Sequence, residues 1–142
     1  MTEVADDVIA RFWKGIDTHD WDLVASTLAD DFVRIGMRGD DTDTSRGKAE
    51  YLEFVSKVVG RMDYHDNKPR RMFRSADGRI AVAECVETIR PPDEPELVME
   101  FLNVMDLNDE GLISKLDIYW KTPPRMPPAW ITPEAILGSD DG

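Results

Sequence analysis

The chain holds a single cysteine, Cys85, and two histidines, His19 and His65. One thiol excludes an internal disulfide, and so few Cys and His side chains exclude the usual structural zinc sites, so no metal is expected. Apolar runs are short, and none approaches the ~20 residues that a membrane-spanning helix needs. Positive charge is scarce as well. Lys and Arg number 17 against 29 Asp and Glu, for a net charge of −12. Such a surface repels phosphate backbones and anionic lipid, so neither nucleic acid nor membrane is expected as a partner. Arg70, Arg71 and Arg74 form the one basic cluster, with acidic segments on both sides. No glycine-rich phosphate loop is present, which points to chemistry without a cofactor. Residues 1–7 lack the basic and apolar regions of a secretory leader, and a reduced, cytoplasmic protein is the expectation.

What is present is the composition of an ordinary globular protein, 42% hydrophobic over 142 residues. One domain over 1–142 is expected, with its core in 4–121. Val4, Val8, Ile9, Phe12, Trp13 and Ile16 recur at helical spacing and predict a first helix over 3–17. Asp20 can cap a second helix carrying Trp21, Val24, Ala25 and Leu28, which Asp30-Asp31 ends. A short strand follows at 32–37, then a polar loop over 38–44. Ser45 can cap a third helix carrying Tyr51, Phe54, Val55, Val58 and Val59, ended by Gly60.

Beyond Gly60 the periodicity changes to that of strands, over 64–75, 79–90, 97–107 and 112–121. Pro69 marks the first as an edge strand or a bulged one, and Asp77-Gly78 is a hairpin signal. Helices followed by a meandering sheet define an α+β domain. The proline-rich tail over 122–142 can form neither helix nor central strand. It is expected to carry Trp130, Ile131 and Ile136 across the surface, tied down by Trp130 or closing over a pocket.

This order of elements, with Asp17-Thr18-His19-Asp20-Trp21-Asp22 joining the first two helices, resembles the SnoaL-like branch of the nuclear transport factor 2-like superfamily. The resemblance implies a curved, mixed or antiparallel sheet wrapped around three N-terminal helices, forming a cone with an internal pocket. In the scytalone dehydratase-like branch an Asp ends the first helix and a His follows the third. Asp17 and His65 stand at those positions. The resemblance thus implies that Asp17 accepts a hydrogen bond from one imidazole nitrogen while the other faces the pocket as a base. Further polar groups of the dehydratases, a Tyr or a second His, are replaced here by Phe12 and Cys85. An epoxide hydrolase of this fold needs an arginine between two acids, and the matching positions Glu87, Cys85 and Asp117 lack it.

Strand alternation adds the remaining candidates. Leu97, Met99, Phe101, Asn103, Met105 and Leu107 form one nearly apolar row with a single amide. Ala81, Ala83, Cys85, Glu87 and Ile89 form another, whose small residues leave room for a cavity. On the last strand Asp117 and Tyr119 are expected to face the pocket, with Leu116, Ile118 and Trp120 on the convex side. The substrate-binding candidates are therefore Phe12, Trp13, Cys85, Glu87, Phe101, Asn103, Asp117 and Tyr119, beside the catalytic candidates Asp17 and His65. For Cys85, with no basic residue near it in sequence, the favoured reading is a small buried hydrophobe. His19 falls in the turn between helices and is expected to be solvated.

The leading expectation is a cofactor-independent lyase, isomerase or cyclase acting on a small hydrophobic, cyclic or aromatic molecule. Its base would be His65 and its oxygen-binding groups would come from Asn103, Asp117 or Tyr119. The alternative is a non-catalytic ligand binder or protein-association module of the same fold. A homodimer is implied by the family resemblance and by two apolar-leaning faces on the last strand.

Overall fold

The computed structural model describes residues 7–121 and Leu137. The proline-rich segment and residues 1–6 lie outside the described residues, and with them the expectations for Val4 and for the Trp130 flap. Helix α1 (Val8–Thr18) starts where the Asp7 carboxylate accepts the Ile9 N–H at 2.7 Å. Ile9, Phe12, Trp13 and Ile16 bury the face that their spacing predicts. The helix ends at His19, whose φ of 61° is the left-handed conformation that reverses the chain. Helix α2 (Trp21–Ser26) follows at once, capped by the Asp20 side chain on the Leu23 N–H at 3.1 Å.

Two departures from the sequence reading follow. Leu28 belongs not to α2 but to strand β1 (Leu28–Ile35), which runs through Asp30 and Asp31. Thr27 closes the helix by turning both its N–H and its hydroxyl onto the Val24 carbonyl, and Leu28 then pairs with Ile113. Long-range pairing here overrides a helical pattern that is only one turn long. Ser45 is not a helix cap. It lies in a short strand, β2 (Thr44–Arg46), opposite Arg34, and Gly47 at φ 95° opens helix α3 (Lys48–Gly60) instead. Glu50 reaches back to the Arg46 N–H and satisfies one donor at that end.

Strands β3 (Tyr64–Arg74), β4 (Ile80–Arg90), β5 (Leu97–Leu107) and β6 (Ile113–Trp120) form an antiparallel meander. Strand β1 pairs with β6 in parallel, so the six-stranded sheet is mixed, with order β2-β1-β6-β5-β4-β3. The sheet is open at β2 and β3, and three helices pack on its concave side: the α+β cone of the sequence reading. Pro69 sits at a bulge on the edge strand β3, where its missing donor costs no ladder bond. A second bulge, at Ser114, changes the alternation of β6. Ile113 and Leu116 both face inward across it, so the even positions Leu116 and Ile118 continue the inner face.

Candidate active site

A cavity of about 340 Å³ lies between α1, α3 and the concave face of the sheet. Its walls are mostly apolar, with Ile16, Val55, Val59, Met99 and Ile118 among them, and a few polar groups converge on it. A second hollow of about 350 Å³ lies on the outside, around Arg70, Glu84, Glu100 and Lys121. Its rim carries the exposed ion pair of Arg70 with Glu100. It holds none of the candidate acid–base groups.

Trp13, His65, Glu87, Phe101 and Asn103 line the inner cavity. Four other candidates do not line it, and for Cys85 this bears out the reading as a small buried hydrophobe. Phe12 is fully buried against Trp13 and Tyr51, beneath the cavity wall. Cys85 is fully buried in the core, and burial first, then the nearby Glu87 charge, pushes its thiol up to about 12. Asp117 and Tyr119 face outward, where the Tyr119 hydroxyl donates to Asp117 at 3.3 Å. The bulge at Ser114 explains the error, because it places the even rather than the odd positions of β6 inside.

The surroundings of His65 also differ from the expected pair. The ring is buried, and both nitrogens are engaged: Nε2 lies 3.0 Å from Glu87 Oε2, and Nδ1 lies 2.9 Å from His19 Nε2. Asp17 makes no hydrogen bond to it. Instead its carboxylate accepts the Asn67 N–H at 3.0 Å and the Lys68 ammonium at 2.7 Å. Burial pushes the Asp17 carboxyl up, but those two donors, with the charge of Lys68, outweigh it and hold the carboxyl below its usual value. The physical reason is register. β3 brings the backbone of Asn67 to the end of α1, while the cross-strand pairs His65–Ile89 and Asn67–Glu87 bring the Glu87 side chain to the ring.

The tautomers follow from the partners. A carboxylate only accepts, so His65 Nε2 carries the hydrogen and Nδ1 accepts from His19 Nε2–H. His19 is exposed, so its remaining nitrogen faces solvent. A chain of three side chains thereby connects the cavity with bulk water. Glu87 Oε2 receives a second donor, Asn67 Nδ2 at 3.1 Å, and Oε1 has no protein hydrogen bond among the described residues.

Three more polar side chains reach the cavity. Arg34 pairs with Asp43 at 3.0 Å and lies over the Phe54 ring at 4.9 Å. The Tyr51 hydroxyl is pushed up by burial, against the pull of the Arg34 charge. The Asn103 amide donates to the Ala83 carbonyl at 3.1 Å, which fixes it in the wall. Among the described residues no three His, Cys, Asp or Glu side chains are arranged to hold a metal ion.

His19, Asn67, Arg34 and Tyr51 are site residues that the sequence reading did not single out. Asn67 was within reach of it, since it lies two residues from His65 and so on the same strand face. His19 was not, because nothing in a turn sequence tells which way a left-handed residue directs its side chain.

With this geometry in view, residues 9–116 match the family of SnoaL-like domains. The chain belongs to that family. Solved structures share the SnoaL-like fold with it. An LEH-like epoxide hydrolase from M. tuberculosis superposes with a TM-score of 0.65 at 21% identity, over 80% of this chain and 80% of that one. SalBIII, an epoxide hydrolase/cyclase-like enzyme in pyran ring formation in the polyether salinomycin, gives 0.70 at 16% identity, over 81% and 88%. A protein with a ketosteroid isomerase-like fold from Catenulispora acidiphila, in complex with trimethylamine, gives 0.69 at 11% identity, over 82% and 86%. At such identities the likeness is one of fold. No curated protein matches the sequence. Among the described residues no helix is long and apolar enough to cross a membrane.

Proposed function

We propose that this SnoaL-like protein is a cofactor-independent enzyme that moves a proton within a small hydrophobic, cyclic or aromatic molecule. Glu87 and His65 form its acid–base pair. The observation that carries this reading is the unbroken chain Glu87–His65–His19 from an apolar cavity to the surface. A ligand-binding cavity has no need of such a chain, whereas an acid–base site that must exchange protons with water does.

Glu87 Oε1 is the atom free to take a proton from the bound molecule. His65 and Asn67 hold Oε2 and fix the carboxylate in place. The proton that Glu87 takes makes it the acid for the second half of the reaction, and the chain through His65 and His19 lets that one proton exchange with water before it is given back. Return to a different carbon is isomerisation, departure of a leaving group is elimination, and attack of the carbanion on a second carbonyl is cyclisation. Asp17 acts here as a positioning residue that anchors β3 to α1 and adds negative charge near His65. The same reading includes a reduced, cytoplasmic setting, supported by the lone and buried Cys85 thiol.

The test follows hydrogen–deuterium exchange at the α-carbon of cyclic and aryl ketones in D₂O by proton NMR. Glu87→Gln is expected to slow exchange about 100-fold or more while leaving ligand binding in place. A folded Glu87→Gln protein that exchanges as fast as wild type removes Glu87 from the role. Binding without exchange in either protein favours the ligand-binder alternative.

A homodimer is part of the proposal. Phe73, Ile80, Val98, Leu102 and Tyr119 are all exposed on the convex face of the sheet, and together they form an apolar surface of the kind a second copy covers.

A further inference from the structure

Two residues that line the cavity each carry a buried polar atom with no hydrogen-bond partner among the described residues: the indole Nε1 of Trp13 and the amide Oδ1 of Asn67. Both residues are almost wholly buried. Their chemistry is opposite, because the indole N–H can only donate and the amide oxygen can only accept. The orientation of the Asn67 amide is fixed by its neighbour. Nδ2 lies 3.1 Å from Glu87 Oε2, and a carboxylate takes only the nitrogen side, so Oδ1 is the atom left over.

The two residues stand on elements that pack together, α1 and β3. Trp13 lies one helical turn before Asp17, on the same face of α1, and the Asp17 carboxylate holds the Asn67 N–H at 3.0 Å. A residue with an unmet donor and one with an unmet acceptor therefore line the cavity where α1 meets β3, next to Glu87. Buried groups of this kind are rare in folded proteins, and each requires a partner that the chain itself does not supply.

We propose that the molecule bound here carries a hydroxyl group, which donates to Asn67 Oδ1 and accepts from Trp13 Nε1–H. Its reacting carbon then lies beside Glu87. Asn67 and Trp13 are thus specificity-determining residues that select an alcohol or phenol over an analogue with a bare acceptor oxygen. This rests on the reading of the cavity as a ligand site, and it adds the chemical class of the ligand.

The pair 1-indanol and 1-indanone separates the possibilities, since they differ in one donor and little in size. Affinities are read by titration of ¹⁵N-labelled protein, following the Trp13 indole resonance assigned with Trp13→Phe. Wild type is expected to bind the alcohol about tenfold tighter than the ketone, the worth of one good hydrogen bond. Asn67→Leu brings that ratio to about one. Asn67→Ala replaces it if the leucine variant does not fold. Trp13→Phe weakens both ligands to a similar extent. Equal binding in wild type, or a ratio that survives loss of the Asn67 amide, overturns the hydroxyl assignment and leaves the cavity reading standing. Failure of both ligands to bind wild type overturns the cavity reading together with it.

Discussion

His19 occupies a position that chain geometry would assign to glycine. At φ 61° a side chain clashes mildly with its own backbone, and the residue after a helix is most often glycine for that reason. Its imidazole stacks near Trp21 and meets His65 at 2.9 Å, which gives the strained position a use. His19→Gly should relieve that strain but leave the buried His65 Nδ1 without its partner, so the two effects offset to within about 1–2 kcal/mol in urea unfolding while the link to solvent is cut. The same variant changes where the proton goes. In D₂O, wild type should incorporate solvent deuterium into its product, whereas His19→Gly should hand the substrate's own proton back. Mass spectrometry of the product reads the difference directly. Retained deuterium uptake in the variant would show that His19 is not the route.

At the scale of elements, α1 and β3 are joined by the Asp17 carboxylate. Asp17→Asn should cost about 1–2 kcal/mol, mainly through the weakened bond to the Asn67 N–H, since the Lys68 pair is exposed and screened. The pH dependence has a definite sign. The folded carboxyl lies below its ordinary value of 3.8, so this stability is fully present above that value and is lost as pH falls through the folded one. Wild type and Asp17→Asn should thus differ in urea midpoint at pH 7 and converge as pH falls through the lowered value of the folded carboxyl. The contact between α1 and α2 is tighter still. A Cβ on Gly15 would meet Val24 Cγ2 at 2.6 Å and backbone of Asp20 and Val24 at 3.1 Å. Gly15→Ala should destabilise by about 1–3 kcal/mol even though alanine favours helix.

How far these elements could be read in advance depended on the reach of each signal. The β4 and β5 faces were legible because strict alternation over eleven residues put Glu87, Phe101 and Asn103 on the inner side. The inner face of β6 was not, since a single extra residue at Ser114 reverses the parity and leaves no mark in composition. The pairing of His65 was half legible. Its place at the start of a strand followed from sequence and its direction from the family resemblance, but whether Asp17 or Glu87 reached the ring depended on the register between β3 and β4, which hydrophobic pattern does not set to within one residue on a polar edge strand.

At the scale of the whole molecule, the convex sheet face predicts association. Size-exclusion chromatography with light scattering should give twice the chain mass of 16.1 kDa, and Leu102→Glu should bring it to one. A wild-type monomer at tens of micromolar would leave that face without a role.

The parallel pairing of β1 with β6 also governs how the protein comes into being. Ile35 waits for its neighbour Asp117 until nearly the whole domain has left the ribosome. Until then β1 presents an open edge, and the wall of the cavity that β6 supplies does not exist. The nascent chain is thus exposed to mispairing for longer than its small size suggests. A stop introduced in the β5–β6 turn would leave every acid–base residue in place yet release a fragment that cannot close its sheet.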